Sequence, residues 1–153
     1  MYKAYYNSPI GKVEIVSDEN SIIALSFVEN SMENDLQTTP KVLKSALQQV
    51  EEYFQGKRSV FDISLKAEGT EFQQKVWQSL IEVPYGDTAC YGDIAAAVGN
   101  SKACRAVGGA NNKNKIAIII PCHRIVGADG SLTGYAGGLW RKEWLLKHEK
   151  DNK

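Results

Sequence analysis

Val13 and Ile15 alternate with Lys12 and Glu14 near the start of the chain, the two-residue period of a strand with one buried face. On this pattern residues 2–6, 12–17 and 21–27 are predicted strands, separated by turns at Ser8-Pro9-Ile10-Gly11 and Asp18-Glu19-Asn20. Residues 28–38 are polar, with Glu29, Asn30, Ser31, Glu33, Asn34 and Asp35, and predict a loop. Thr39 is then the expected cap of a helix that has Pro40 in its first position. Leu43, Leu47, Val50 and Phe54 recur at helical spacing, so they should line the buried face of that helix. Gly56 ends it, and residues 60–65 are expected to return as a further strand.

Beyond residue 70 the period is mainly helical. Residues 66–69 form the expected boundary between a supporting domain, 1–69, and a second domain, 70–153. Thr70 and Gln73 have the spacing of a capping box, opening a helix with Phe72, Val76 and Leu80 on its apolar face, beside Trp77 and Ile81. Pro84-Tyr85-Gly86-Asp87 is its terminating turn. Two short helices follow, 92–98 and 102–111, joined through Gly99, with Asn100 or Ser101 capping the second. This is the pattern of a helix-turn-helix. A last helix, 139–148, carries Trp140 and Trp144 on one side. The expected fold class is α+β: a small sheet-plus-helix domain, then a mostly helical domain containing a helix-turn-helix.

The 153 residues are 43% hydrophobic and 24% charged, with 13 Gly and 4 Pro. That composition excludes disordered and collagen-like chains, and the length supports a core without disulfide or metal staples. The longest apolar run, 116–121, is far short of the roughly 18 residues of a membrane span. Met1-Tyr2-Lys3-Ala4 lacks the apolar segment of a signal peptide. Three cysteines, Cys90, Cys104 and Cys122, without CxxC spacing point to reduced thiols, so a cytoplasmic protein without membrane association is expected. His123 and His148 are the only histidines; no metal and no cofactor is expected. Residues 1–70 carry 7 basic and 10 acidic side chains and residues 71–153 carry 11 and 8, so a −3 half precedes a +3 half. An anionic partner for the second half accounts for this asymmetry, and so does chance.

The second helix of the helix-turn-helix runs Lys102-Ala103-Cys104-Arg105-Ala106-Val107-Gly108-Gly109-Ala110-Asn111. A sequence-specific reader would present several Arg, Gln or Asn side chains to base edges; this helix offers small residues and one long cation, Arg105. Small side chains let a backbone approach DNA closely, and one long side chain can wedge into a base stack. An ordinary packing helix accounts for the same residues equally well.

Downstream, Ile116-Ala117-Ile118-Ile119-Ile120 predicts a buried strand-like segment that delivers Pro121-Cys122-His123-Arg124 into a turn. A lone cysteine is commonly a small core residue, but His123 and Arg124 supply the surroundings that lower a thiol pKa. Consecutive side chains diverge, so a bridging water would let His123 take the Cys122 proton. His123 needs an orienting acceptor in turn, and Glu149 is the candidate if it is not a solvated helix-end charge. Residues 127–138 hold five glycines around Tyr135, either a loop that brings backbone N–H groups to a ligand or a long surface hairpin.

Gly108-Gly109-Ala110, Ile120-Pro121-Cys122-His123-Arg124, Gly134-Tyr135-Ala136-Gly137-Gly138 and Lys142-Glu143-Trp144-Leu145-Leu146 together resemble the O6-alkylguanine-DNA alkyltransferases, or methylated-DNA–protein-cysteine methyltransferases. The resemblance covers the whole chain, looser through Ser8-Pro9-Ile10-Gly11, and the glycine loop is most similar to constitutive bacterial members. It implies an RNase H-like first domain and DNA repair by single-turnover transfer of an alkyl group from O6-alkylguanine, and from O4-methylthymine, to Cys122. It implies that His123 activates Cys122 through water, Glu149 polarises His123, Asn114 supports the active-site turn, and Tyr91 donates to guanine N3. Lys102, Arg105, Ala106, Gly109 and Asn111 would contact the duplex from the minor groove, Arg105 filling the gap left by an extruded nucleotide. Tyr135, Ala136, Ile125 and Gly137 would line the substrate pocket. The implied partner is double-stranded DNA containing O6-alkylguanine, bound largely without regard to sequence by a monomer.

Two departures stand out: Asn114-Lys115-Ile116-Ala117 lacks prolines that many relatives carry, and Cys104 stands where alanine is common. Two other functions compete. A lesion-binding relative that does not transfer would lack the acceptor cysteine, whereas Cys122 is present. A helix-turn-helix transcription regulator would need more base-reading side chains than residues 102–111 offer.

Overall fold

The computed structural model describes residues 1–30, 32–34 and 37–153, so Ser31 and Asp35 of the expected loop, with Leu36, lie outside the described residues. The chain divides into two compact units, Met1–Ala67 and Glu68–Lys153.

In the first unit β1 (Tyr2–Ser8), β2 (Gly11–Ser17) and β3 (Ile22–Val28) form an antiparallel meander in the order β1-β2-β3. The register sets Ala4 opposite Ile15 and Ile15 opposite Leu25, so the buried residues of all three strands share one face. Gly11, at φ 118°, closes the first hairpin in a conformation that side chains disfavour. Helix α1 (Lys41–Phe54) covers the sheet. Its buried stripe is Leu43, Ala46, Val50 and Tyr53, with Gln49 and Phe54 beside it, while Leu47, expected in that stripe, is only half-buried. Thr39 is not the cap: Pro40, with an extended ψ of 153°, holds that position, and its carbonyl accepts from Leu43 and Lys44. At the other end Gly56, at φ 75°, allows Gly56 N–H to reach the Tyr53 carbonyl and Lys57 N–H that of Glu52, which stops the helix as expected.

Residues 60–65 do not form the expected strand. One bridge, Ile22 to Leu65, joins this segment to β3. The cause is the Gln49 side chain, which takes both the N–H and the carbonyl of Asp62 at 2.9 and 3.0 Å, replacing a ladder partner.

The second unit is mostly helical. Helix α2 (Glu71–Ile81) opens with the complete Thr70–Gln73 capping box and buries Val76, Trp77 and Leu80; Phe72 is half-buried and Ile81 exposed. A two-residue strand β4 (Ala89–Cys90) leads into α3 (Tyr91–Ala97), Gly99 turns the chain at φ 88°, and α4 (Cys104–Asn112) completes the helix-turn-helix. Helix α4 starts two residues later than expected and has no side-chain cap; Asn100 instead accepts from Lys102 N–H, closing the turn before it. Trp77 Nε1 donates over 2.9 Å to the Ala110 carbonyl, which also accepts from Lys113 N–H, and so ties the end of α4 to α2. Helix α5 (Leu139–Asp151) ends the chain. Among the described residues no helix is long and apolar enough to cross a membrane.

Candidate functional site

The β-branched run before Cys122 is not a strand. Ile118 sits at φ +71°, and Ile119 N–H bonds back to the Ala117 carbonyl across it. This is a γ-turn in a region that β-branched residues almost never enter. Pro121, at φ −80° and ψ 65°, makes the inverse turn, with Cys122 N–H bonded to the Ile120 carbonyl. Strand propensity yields here because Ile116, Ile118, Ile119 and Ile120 are all buried, so each side chain finds its pocket only if the backbone folds on itself. Asn114 pins the loop: its Nδ2 donates to the Ile120 carbonyl at 2.9 Å and its Oδ1 accepts from Ile116 N–H at 2.9 Å.

Cys122, His123 and Arg124 then form one turn of 3-10 helix, followed by β5 (Ile125–Val126), which pairs in parallel with β4. This pairing brings the turn beside the start of α3. From α5, Glu149 meets the turn: its Oε2 lies 2.7 Å from His123 Nε2, and Arg124 donates from Nε to Oε1 at 2.8 Å and from Nη2 to Oε2 at 3.1 Å. Arg124 Nη1 also donates to the Val83 carbonyl at 2.8 Å. His123 and Glu149 are both 0% exposed, so Glu149 is a buried acceptor and not a solvated helix end.

Burial alone would push Glu149 up, but the charge that His123 takes on when acid protonates it, the His123 hydrogen bond, and the charge and hydrogen bonds of Arg124 outweigh it and hold the carboxyl well below the usual range. Burial holds the His123 imidazole below its ordinary value against the pull of Glu149, and the charges of Arg124 and Lys142 add to that. A guanidinium stays charged at any ordinary pH, so Glu149 is ionised while His123 is neutral. His123 then donates from Nε2, which leaves Nδ1 as a basic lone pair. Nδ1 is buried and has no hydrogen-bond partner among the described residues.

The Cys122 thiol differs from expectation. Burial pushes it up, and the Asn114 side chain, the Lys142 charge and the main-chain N–H groups of Cys122 and His123 only partly offset that. Arg124 gives no help because its guanidinium is spent on Glu149 and Val83. The thiol therefore needs a base, and Nδ1 of His123 is the basic atom of this turn.

Tyr91 opens α3 and its hydroxyl lies 2.6 Å from Thr133 Oγ1. In the glycine loop Tyr135 keeps its hydroxyl buried and without a hydrogen-bond partner; burial, with the Cys122 charge, raises its pKa well above the usual value. Ala136 is exposed, Gly137 is half-buried and accepts from Arg141 Nη1 at 2.9 Å, and Ile125 is fully buried.

On α4, Arg105, Ala106 and Gly109 share the exposed face, and a Cβ at Gly109 would meet nothing within 4 Å. Lys102 is exposed in the turn before the helix. Asn111 corrects an expectation: it is 4% exposed, one helical turn past the buried Val107, and so faces inward, away from any duplex on the Arg105 face.

Three contributors carried no sequence-level assignment: Arg124 as the second partner of Glu149, Lys142, and Thr133. The buried stripe of α5 is Lys142, Leu145 and Glu149, whereas Trp140 is 56% exposed and Trp144 stacks on His148 with ring centroids 4.7 Å apart. The spacing of 142, 145 and 149 was visible as a helical stripe, but two charges on it do not read as a core face. Among the described residues no group of three or more His, Cys, Asp and Glu could hold a metal ion.

Residues 1–67 match the family described as 6-O-methylguanine DNA methyltransferase, ribonuclease-like domain, and residues 71–151 match the DNA binding domain of the same family. The chain is 48% identical over 153 residues to a methylated-DNA–protein-cysteine methyltransferase of Methanosarcina acetivorans, covering 97% of this chain and 98% of that protein. A protein of the same name from Haemophilus influenzae is 44% identical over 155 residues, 98% of this chain and 87% of the other. The crystal structure of Mycobacterium tuberculosis OGT in complex with DNA superposes with a TM-score of 0.89 at 41% identity, over 99% of this chain and 94% of that one.

Proposed function

The chain belongs to the 6-O-methylguanine DNA methyltransferase family, and we propose that it repairs O6-alkylguanine in double-stranded DNA by moving the alkyl group onto its own Cys122. The observation that carries this is the turn in which Cys122 adjoins a neutral His123 whose Nε2 is bound to Glu149 and whose Nδ1 is left basic.

The Cys122 thiol gives its proton to His123 Nδ1 through a bridging water, and Glu149 stabilises the imidazolium that forms. The thiolate attacks the alkyl carbon in line, the carbon–O6 bond breaks, and its electron pair leaves on the guanine, which takes up a proton. Tyr91, on α3, supplies that proton at guanine N3. The product is a thioether, which thiol exchange does not reverse, so each molecule acts once.

The O6 atom is out of reach inside a duplex, and flipping the base costs a few kcal/mol. The exposed face of α4 suits this task. Ala106 and Gly109 let the helix lie close in the minor groove, and Arg105 is long enough to occupy the vacated stack. Lys102 meets the phosphates, so binding is largely independent of sequence. Tyr135, Ala136, Gly137 and the backbone of Ile125 surround the extruded base, and the small Ala136 leaves room for groups beyond methyl and for O4-methylthymine. The protein acts as a monomer, in the compartment that holds the genome and keeps thiols reduced.

Incubation with duplex DNA carrying O6-methylguanine should add one methyl group to the intact protein, mapped to the peptide containing Cys122. Cys122→Ser should bind the same duplex and gain nothing. A label on Cys90 or Cys104, or transfer by the serine variant, overturns the assignment.

A further inference from the structure

Lys142 is fully buried, and its ammonium donates to both the carbonyl and Oγ1 of Thr133, at 3.2 and 3.3 Å. Thr133 Oγ1 in turn lies 2.6 Å from the Tyr91 hydroxyl. The Tyr91 ring reaches the helix expected on DNA: a Cβ built on Gly108 of α4 would stand 3.5 Å from it. Three groups with exchangeable protons thus form a chain from the interior of α5 to the flank of α4. An ammonium can only donate, so it occupies a lone pair of Thr133 Oγ1 and polarises that hydroxyl. The ammonium makes the Thr133 hydroxyl a stronger donor, and in the arrangement in which that hydroxyl donates to the Tyr91 oxygen, the Tyr91 O–H is free to donate elsewhere.

We propose that Thr133 is a positioning residue for leaving-group protonation, passing a proton from Lys142 to Tyr91 as Tyr91 gives its own to the departing guanine; this rests on Cys122 being the alkyl acceptor. As the sulfur–carbon bond forms and the carbon–O6 bond breaks, the electron pair on the purine takes the Tyr91 proton. The Thr133 proton moves to Tyr91 and a Lys142 proton to Thr133, leaving a neutral amine; the thiol proton rests on His123 until solvent restores both groups. Timing is built in. Burial disfavours the Lys142 charge while the Cys122 thiolate favours it, and a thioether carries no charge. Lys142 therefore loses its electrostatic support as the purine comes to need a proton.

The test is single-turnover transfer to Cys122 from O6-benzylguanine and from its 8-bromo derivative, whose purine is a less basic leaving group. Thr133→Val keeps the shape and removes the hydroxyl; Thr133→Ser keeps the hydroxyl. The valine variant should slow benzylguanine transfer by roughly 10–100-fold, part of what a positioned acid supplies, and slow the bromo compound clearly less. The serine variant should recover most of the rate. An unchanged rate in the valine variant, equal slowing on both purines, or a serine variant as slow as the valine one overturns the relay while wild-type transfer stands. Failure of the wild type to take the methyl group of duplex O6-methylguanine onto Cys122 instead removes the reading on which it rests, and the relay with it.

Discussion

Arg124 holds Glu149 with two hydrogen bonds, Nε to Oε1 at 2.8 Å and Nη2 to Oε2 at 3.1 Å, both inside the protein. The residue next to the catalytic histidine thus neutralises the carboxylate that the histidine needs. Without that cation Glu149 would be an ion in a dry interior facing a neutral imidazole.

Arg124→Leu should therefore cost about 3–5 kcal/mol of stability, the usual penalty for leaving one member of a buried pair alone. Adding Glu149→Gln should recover part of it, with a coupling above about 1 kcal/mol in urea-denaturation cycles. Additive losses would show that the two side chains do not act as a pair.

Stability should fall as the solution is acidified, in two stages. His123 has a folded pKa below its ordinary 6.5, so the unfolded chain binds the proton more readily and stability declines as pH drops below about 6.5. Glu149 is also depressed, from an ordinary 4.5, so its contribution is complete above that value and is lost as pH falls further toward the folded pKa. Chemical denaturation from pH 8 to 3 checks this, and His123→Gln should remove the first stage and shrink the second, because the His123 charge helps hold Glu149 low. A profile that rises on acidification would contradict both assignments.

Ile118 occupies a left-handed backbone while its side chain is 1% exposed. Strain of about 1–3 kcal/mol sets itself against burial worth about 1.5–3 kcal/mol. Ile118→Gly relieves the first as it loses the second, whereas Ile120→Gly only loses. Thermal unfolding should show Ile118→Gly less destabilised by about 1–2 kcal/mol; equal losses would mean the turn carries no strain.

Arg105 is exposed on α4 and takes no part in the Cys122 turn. Arg105→Ala should slow repair of duplex DNA by at least about tenfold but leave transfer from free O6-benzylguanine within about twofold, since only the duplex substrate must be extruded. Equal slowing of both would place Arg105 in chemistry or folding.

Wherever a side chain's fate depends on its near neighbours, the sequence by itself determined the outcome. The alternation of Val13 and Ile15, the glycines at 11, 56 and 99, and the Thr70–Gln73 box act over four residues or fewer, and each element they predict is present. Cys122 and His123 were legible as a thiol beside a base, whereas Glu149 stood open between a solvated helix end and an acceptor, and its role came only with the family resemblance. Tertiary structure decided the rest. Residues 60–65 lost their strand to Gln49, thirteen residues before the Asp62 it binds. The isoleucine run folded into γ-turns because Asn114 and the surrounding core set its path. Lys142, Thr133 and Tyr91 come together from three separate segments, and Arg124 was turned from the thiol to Glu149, twenty-five residues on. Local propensity is worth a few tenths of a kcal/mol per residue, whereas a buried charge or an unpaired buried hydrogen-bonding group costs several. Where the two conflict, the partner brought by the fold prevails.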